Sequence, residues 1–179
     1  LAGSVVAAAV KLKRYSEELQ EINDSKKLTE KKREKLFDII MENFEVGIGI
    51  ASVQEIDELN ILNATFLAMR RAIEELDKKT NTDVLVLVDG NFKIREYIGK
   101  QEPIIKGDAK SLSIAAASII AKVTRDRQLV EEGKKYPEYH FEKHKGYGTK
   151  AHREALLQYG VTPIHRKTFL TKILGENEK

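Results

Sequence analysis

Five consecutive apolar residues, Val84-Leu85-Val86-Leu87-Val88, run directly into Asp89-Gly90. A short valine-rich run closed by a turn pair reads as a strand. Because it is apolar on both faces, it is expected at the centre of a sheet with cover on both sides. The rest of the chain must supply that cover. Gly3 to Leu12 reads as a second buried strand, although its alanines are poor strand formers. Glu45 to Ser52 alternates Val46, Ile48 and Ile50 with small residues, and two glycines on one face call for a helix packed closely against them. Pro103-Ile104-Ile105 is a short strand candidate ending at Lys106-Gly107-Asp108.

Between these strands lie helical patterns. From Thr29 to about Asn43, Leu36, Phe37, Ile39 and Ile40 fall near helical spacing, with Thr29 as the N-cap. Val53 to Lys79 reads as a short helix followed by a long one, broken at Asn81-Thr82. A helix is expected from Ala109 to about Lys135, then a loop from Tyr136 to Thr149, then a helix using Ala151, Ala155, Leu156 and Leu157. Strands mixed with long helices give an α/β fold, with helices covering a sheet.

Composition excludes several classes. With no cysteine the chain has neither disulfides nor thiolate metal sites. No apolar run is long enough for a membrane-spanning helix. The run Leu1 to Val10 lacks a preceding basic region, so it reads as a core strand whose upstream portion is missing and not as a signal peptide. The cytoplasm is the expected compartment. The 179 residues suit one domain, and nothing in them demands more than a monomer. The net charge of +3 is too small to specify a partner.

Two aspartates stand at the ends of apolar segments. Asp89 sits where ligands gather in α/β folds, although Asp-Gly is also a common turn pair. Asp108 follows Ile104-Ile105-Lys106-Gly107, where it could equally cap the next helix. Brought together, they offer oxygen ligands to a hard cation such as magnesium or manganese.

The loop Tyr136 to Thr149 interleaves aromatic, basic and glycine residues, a composition suited to phosphates, sugars and bases and equally to a surface loop folded onto the core. His140 and His144 are four apart, but Gly146 and Gly148 argue against a helical zinc pair. Asn23-Asp24-Ser25-Lys26-Lys27-Leu28 places a hydroxyl and paired lysines near a helix start, which could grip a phosphate or simply lead into the helix. Lys122, Arg125 and Arg127 form a similar basic face, with Asp126 as a local ion-pair partner. Ser113 and Ser118 read as helix-packing residues.

Taken in order, these segments resemble type 2 ribonuclease H, the bacterial ribonuclease HII family. Asn23 to Leu28 is similar to its NDSKKL segment, Glu55 to Ile61 to its EIDxxNI segment, and Val88-Asp89-Gly90 to its VDG strand end. Lys106-Gly107-Asp108 with Ile114 to Ile119 and Ala121 to Asp126 resembles its longest motif. His144 to Thr149 and Pro163-Ile164-His165-Arg166 complete the set, which spans nearly the whole chain.

The resemblance implies a ribonuclease H-like mixed β-sheet flanked by helices, with a C-terminal helical extension. Residues 1–135 would form the catalytic core, and residues 136–179 a substrate-contacting loop and helical extension of the same domain. It implies an endoribonuclease acting on RNA–DNA hybrids and on ribonucleotides embedded in duplex DNA. Four carboxylates would surround two magnesium or manganese ions, with Asp89 and Asp108 in two of those places. The other two belong to a DEAGRGP segment that the family carries just before the position of Leu1 and that this sequence does not contain. A non-catalytic hybrid-binding fragment is the alternative this leaves open. By the same resemblance Tyr147 stacks on the sugar at the RNA–DNA junction, where the 2′-hydroxyl marks RNA. Ser25, Lys26, Lys27, Lys106 and Lys145 are the further candidates for contact with nucleic acid.

Overall fold

The computed structural model describes residues 1–22, 25–81 and 83–175, without the side chain of Ser25. The chain forms two compact units. One comprises Val6–Ile50 and Thr65–Val123; the other comprises Leu1–Val5, Ala51–Ala64 and Thr124–Lys179. They are called here the sheet unit and the loop unit.

The strands are β1 (Val5–Leu12), β2 (Phe44–Ala51), β3 (Val86–Asp89) and β4 (Gln101–Ile104), paired as β1 with β2 and β3 with β4. The helices are α1 (Glu30–Asn43), α2 (Val53–Leu59), α3 (Ile61–Asp77), α4 (Gly107–Lys110), α5 (Leu112–Lys135), α6 (Phe141–His144), α7 (Lys150–Tyr159) and α8 (Thr171–Leu174).

In the sheet unit, α1 begins where expected, with the Thr29 hydroxyl accepting a hydrogen bond from the Lys32 N–H at 3.2 Å. Its Leu36, Ile39 and Ile40 pack with Ile119, Ile120 and Val123 of α5 and with Phe44 and Val46 of β2. The two glycines of β2 have the predicted purpose. A side chain at Gly49 would collide with the Ala68 carbonyl of α3, and one at Gly47 with that of Ala72. Small residues on strand and helix therefore set how closely they approach.

The strongest strand of the sequence departs from expectation. β3 is not covered on both sides: Leu85 is 50% exposed and Leu87 40%. β3 pairs in parallel with β4, Asp89 lying opposite Ile104. On its other side, residues Val84 to Asp89 share with Val6 to Leu12 of β1 the wall of a cavity of about 440 Å³. Its remaining walls include Met69 and Ile73 of α3 and Ser113, Ala117 and Ser118 of α5. The serines read as packing residues thus border this cavity.

In the loop unit, α2 starts with a capping box: the Ser52 hydroxyl accepts from the Glu55 N–H at 3.1 Å, and the Glu55 carboxylate accepts from the Ser52 N–H at 3.0 Å. The core gathers Leu129 of α5, Tyr139, Phe141, and Ala155 and Leu156 of α7. Leu157, expected on the same buried stripe, is exposed, because the inward positions of α7 are His152, Ala155 and Leu156. The start of the chain is held by an antiparallel bridge from Ala2 to His165 and a 2.9 Å bond from Gly3 N–H to the Ile164 carbonyl. Among the described residues, no helix is long and apolar enough to cross a membrane.

Candidate active site

Asp89 ends β3 with its carboxylate exposed. Beside it, β4 leads through Lys106 into α4. Lys106 adopts a left-handed conformation, φ 54° and ψ 42°, which turns the chain sharply. The turn aims the Gly107 N–H at Asp89, whose Oδ1 accepts it at 2.9 Å. Gly107 is required there, since a side chain would meet Ile114 Cδ1 at 2.6 Å and Asp89 Oδ1 at 3.3 Å. Parallel pairing and this bond place Asp89, Lys106 and Asp108 around a single turn. Asp108 is half-buried in the first turn of α4; it is not the N-cap it could have been from the sequence, because the left-handed Lys106 occupies that position.

Two carboxylates of this kind suit a hard divalent cation by donor type. By number they are few. Among the described residues, no three His, Asp or Glu side chains gather where a metal ion could be held. The donor set therefore fits part of a magnesium or manganese site, with further oxygen ligands still to be supplied.

Lys26 and Lys27 are exposed on a 3₁₀ turn, Ser25–Lys27, ahead of α1. Asn23, Asp24 and the side chain of Ser25 lie outside the described residues. Tyr147 and Lys145 belong to the loop unit. Tyr147 is 56% exposed, with the Arg125 guanidinium 5.4 Å from its ring centroid. Lys145 is half-buried in a left-handed conformation, and its carbonyl accepts from Arg125 Nη1 at 2.7 Å.

Arg125 also donates to the carbonyls of Ala2 at 2.8 Å and Ser4 at 3.2 Å. Arg166 donates to Gly3 at 2.8 Å. Burial lowers the Arg125 pKa, and burial reinforced by the charge of Arg125 brings Arg166 down to about 10. Both guanidiniums stay charged and hold backbone oxygens around the Tyr147 loop. Composition marked Arg125 only as part of a basic face; its spacing from Ala2 and Lys145 in the sequence carried no signal of this role.

Asp57 of the EID segment has a comparable structural duty. It accepts from the N–H groups of Lys167 at 3.2 Å and Thr168 at 3.1 Å and from the Thr168 hydroxyl at 2.8 Å. Burial raises its pKa, but these bonds outweigh it and hold the carboxyl below its ordinary value. The histidines do not form a zinc pair: His140 lies beside Glu142, whereas His144 is buried against the carbonyl of Tyr139 and the N–H of Gly146.

Comparison with known proteins places the sequence and the fold in one family. The family model described as ribonuclease HII matches residues 1–172. The ribonuclease HII of Fusobacterium nucleatum is 68% identical over 181 aligned positions, covering 100% of this chain and 84% of the relative. Among solved structures, the ribonuclease H2 of Pyrococcus horikoshii is 26% identical, with a TM-score of 0.65, over 91% of this chain and 93% of that one. The structure of a PCNA:RNase HII complex from Archaeoglobus fulgidus matches 98% of this chain and 91% of that chain with a TM-score of 0.75; at 22% identity, that likeness speaks for the fold alone.

Proposed function

The chain belongs to the ribonuclease HII family, and from that premise we propose that it cuts the RNA strand of RNA–DNA hybrids and incises 5′ to ribonucleotides embedded in duplex DNA. The family makes it an enzyme of the ribonuclease H class. The observation that carries the site assignment is the 2.9 Å bond from Gly107 N–H to Asp89, which draws Asp89 and Asp108 to one turn.

Asp89 and Asp108 would hold magnesium or manganese, with the DEAGRGP segment of the family contributing the remaining carboxylates. Bound there, such ions supply an activated water and stabilisation of the departing 3′-oxygen, leaving a 3′-hydroxyl and a 5′-phosphate. The residues of this chain orient the reaction. Gly107 N–H fixes one Asp89 oxygen and leaves the other for a cation. Lys106 offers positive charge beside the scissile phosphate. Lys26, Lys27, Ser25 and Lys145 contribute contacts to the nucleic-acid backbone, so affinity falls as salt rises. Tyr147 stacks on the sugar that carries the 2′-hydroxyl. A cytoplasmic monomer suits this activity.

The test is cleavage of a DNA duplex carrying one ribonucleotide, with magnesium or manganese, by this chain and by one extended with DEAGRGP before Leu1. The extended chain should cut 5′ to the ribonucleotide, and Asp89→Asn should lower its rate by about two orders of magnitude or more without unfolding it. Cleavage by the extended chain alone would uphold the family reading and show that Asp89 and Asp108 need the carboxylates of that segment. Cleavage unaffected by Asp89→Asn would remove Asp89 from the site.

A further inference from the structure

Three histidines are buried in the loop unit, and the donors and acceptors around them admit one set of tautomers. His165 Nδ1 accepts the Thr162 N–H at 3.0 Å and faces the Thr162 hydroxyl at 2.8 Å, so the proton of this imidazole sits on Nε2. That Nε2–H points at His152 Nε2, 2.8 Å away, which must therefore accept. His152 then carries its proton on Nδ1 and donates it to the Tyr147 carbonyl at 2.9 Å. His144 stacks on His152 with ring centroids 4.2 Å apart. It accepts from Gly146 N–H on Nδ1 at 3.1 Å and donates from Nε2 to the Tyr139 carbonyl at 2.6 Å.

These bonds run in one direction, from Thr162 through His165 and His152 to the backbone of Tyr147. Phe141 closes the relay edge-on against His152 at 5.5 Å, and both His152 and His165 are withdrawn from solvent. Buried this way, a polar chain is stable only when every member is satisfied. An added proton on either histidine would oppose two N–H groups and break the chain at that point. The relay ends on the one aromatic residue of the loop that is largely exposed, at a left-handed turn formed by Lys145 and Gly146.

We propose that His152 and His165 are positioning residues for nucleic-acid recognition. By locking the Tyr147 carbonyl, they fix the orientation of its ring toward the 2′-hydroxyl-bearing sugar. The proposal rests on the reading of Tyr147 as the sugar-contacting residue. Discrimination between RNA and DNA then depends on a hydrogen-bonded relay that does not itself touch the substrate.

The experiment measures binding of a labelled RNA–DNA hybrid and of the all-DNA duplex of the same sequence, in EDTA to prevent cleavage. The readout is the ratio of the two Kd values, because a loss of folded protein weakens both equally and leaves the ratio unchanged. Tyr147→Ala should reduce the preference for the hybrid about tenfold. His152→Leu should reduce it about three- to tenfold, and His152→Asn, which retains a donor for the Tyr147 carbonyl, should stay within about twofold of the parent. Combining Tyr147→Ala with His152→Leu should add nothing to Tyr147→Ala alone.

Should His152→Leu not fold, His165→Asn breaks the relay one step earlier and should still lower the ratio. A folded His152→Leu or His165→Asn chain with an unchanged ratio, where Tyr147→Ala has lost it, overturns the relay and leaves the Tyr147 reading intact. An unchanged ratio in Tyr147→Ala overturns both. Nitrogen-15 NMR of the histidines tests the relay separately: protonation of His165 on Nδ1 or of His152 on Nε2 at neutral pH would overturn it whatever Tyr147 does.

Discussion

The two units are held together by different physics. The sheet unit is built from aliphatic side chains: Leu36, Ile40, Ile119 and Ile120 are fully buried, and their contribution is area withdrawn from water. The same unit leaves a half-open cavity of about 440 Å³ bordered by β1 and β3. The loop unit instead buries Tyr139, Phe141, His152 and His165, and its Arg125 and Arg166 are engaged with backbone carbonyls. An aliphatic core accepts small shifts at modest cost, whereas a hydrogen-bonded core tolerates few alternatives. Asp89 and Asp108, proposed to hold the metal, thus stand on the first kind of scaffold, and Tyr147, proposed to sense the sugar, stands on the second.

Three perturbations sharpen this contrast. The largest effect is expected where the sheet unit is tight. Gly49→Ala drives a methyl group into the Ala68 carbonyl and should destabilise by about 3 kcal/mol in urea unfolding. An insensitive Gly49 would mean that α3 can slide over β2.

The second perturbation is acid. Burial pushes both His152 and His165 down to about 4, with the neighbouring histidines adding to the effect. The unfolded chain binds these protons near pH 6.5, so it holds more of them than the folded chain between about pH 6.5 and pH 4. Stability should therefore fall as pH drops through that window, which urea unfolding at a series of pH values would read. Hydrogen exchange should show the Gly146 and Thr162 amides losing protection before those of Leu36 and Ile119. Simultaneous loss in both units would erase the distinction. The smallest effect is local: Ser52→Ala removes the capping box of α2 and should cost about 1 kcal/mol by thermal unfolding.

Much of the aliphatic unit was legible in the sequence, because periodicity reports which residues face inward. The Thr29 cap and the two glycines of β2 follow from spacing, as does, largely outside that unit, the short-then-long pair of α2 and α3. The exposure of Leu85 and Leu87 did not, since an apolar run tells nothing of what lies beside it. Asp89 and Asp108 could be singled out individually as strand-end and helix-start residues; their shared turn depends on the left-handed Lys106, which no local pattern announces. The loop unit was least readable. His152 lies on α7 and His165 thirteen residues later, so their pairing is a product of tertiary packing. The motifs identified the segments but not the direction of the protons within them.

The division of the chain has a consequence for its synthesis. The sheet unit draws on residues 6 to 123, so all of its material is available before Thr124 leaves the ribosome. The loop unit is assembled from three separated stretches, and its bond from Gly3 to Ile164 joins opposite ends of the sequence. Ala2 and Gly3 therefore find these partners only after Ile164 and His165 have been made. Such long-range closure is slow and leaves strands open in the meantime. The turn that carries Asp89 and Asp108 can thus form before the loop that carries Tyr147, and the interval between the two is the one most exposed to misassembly.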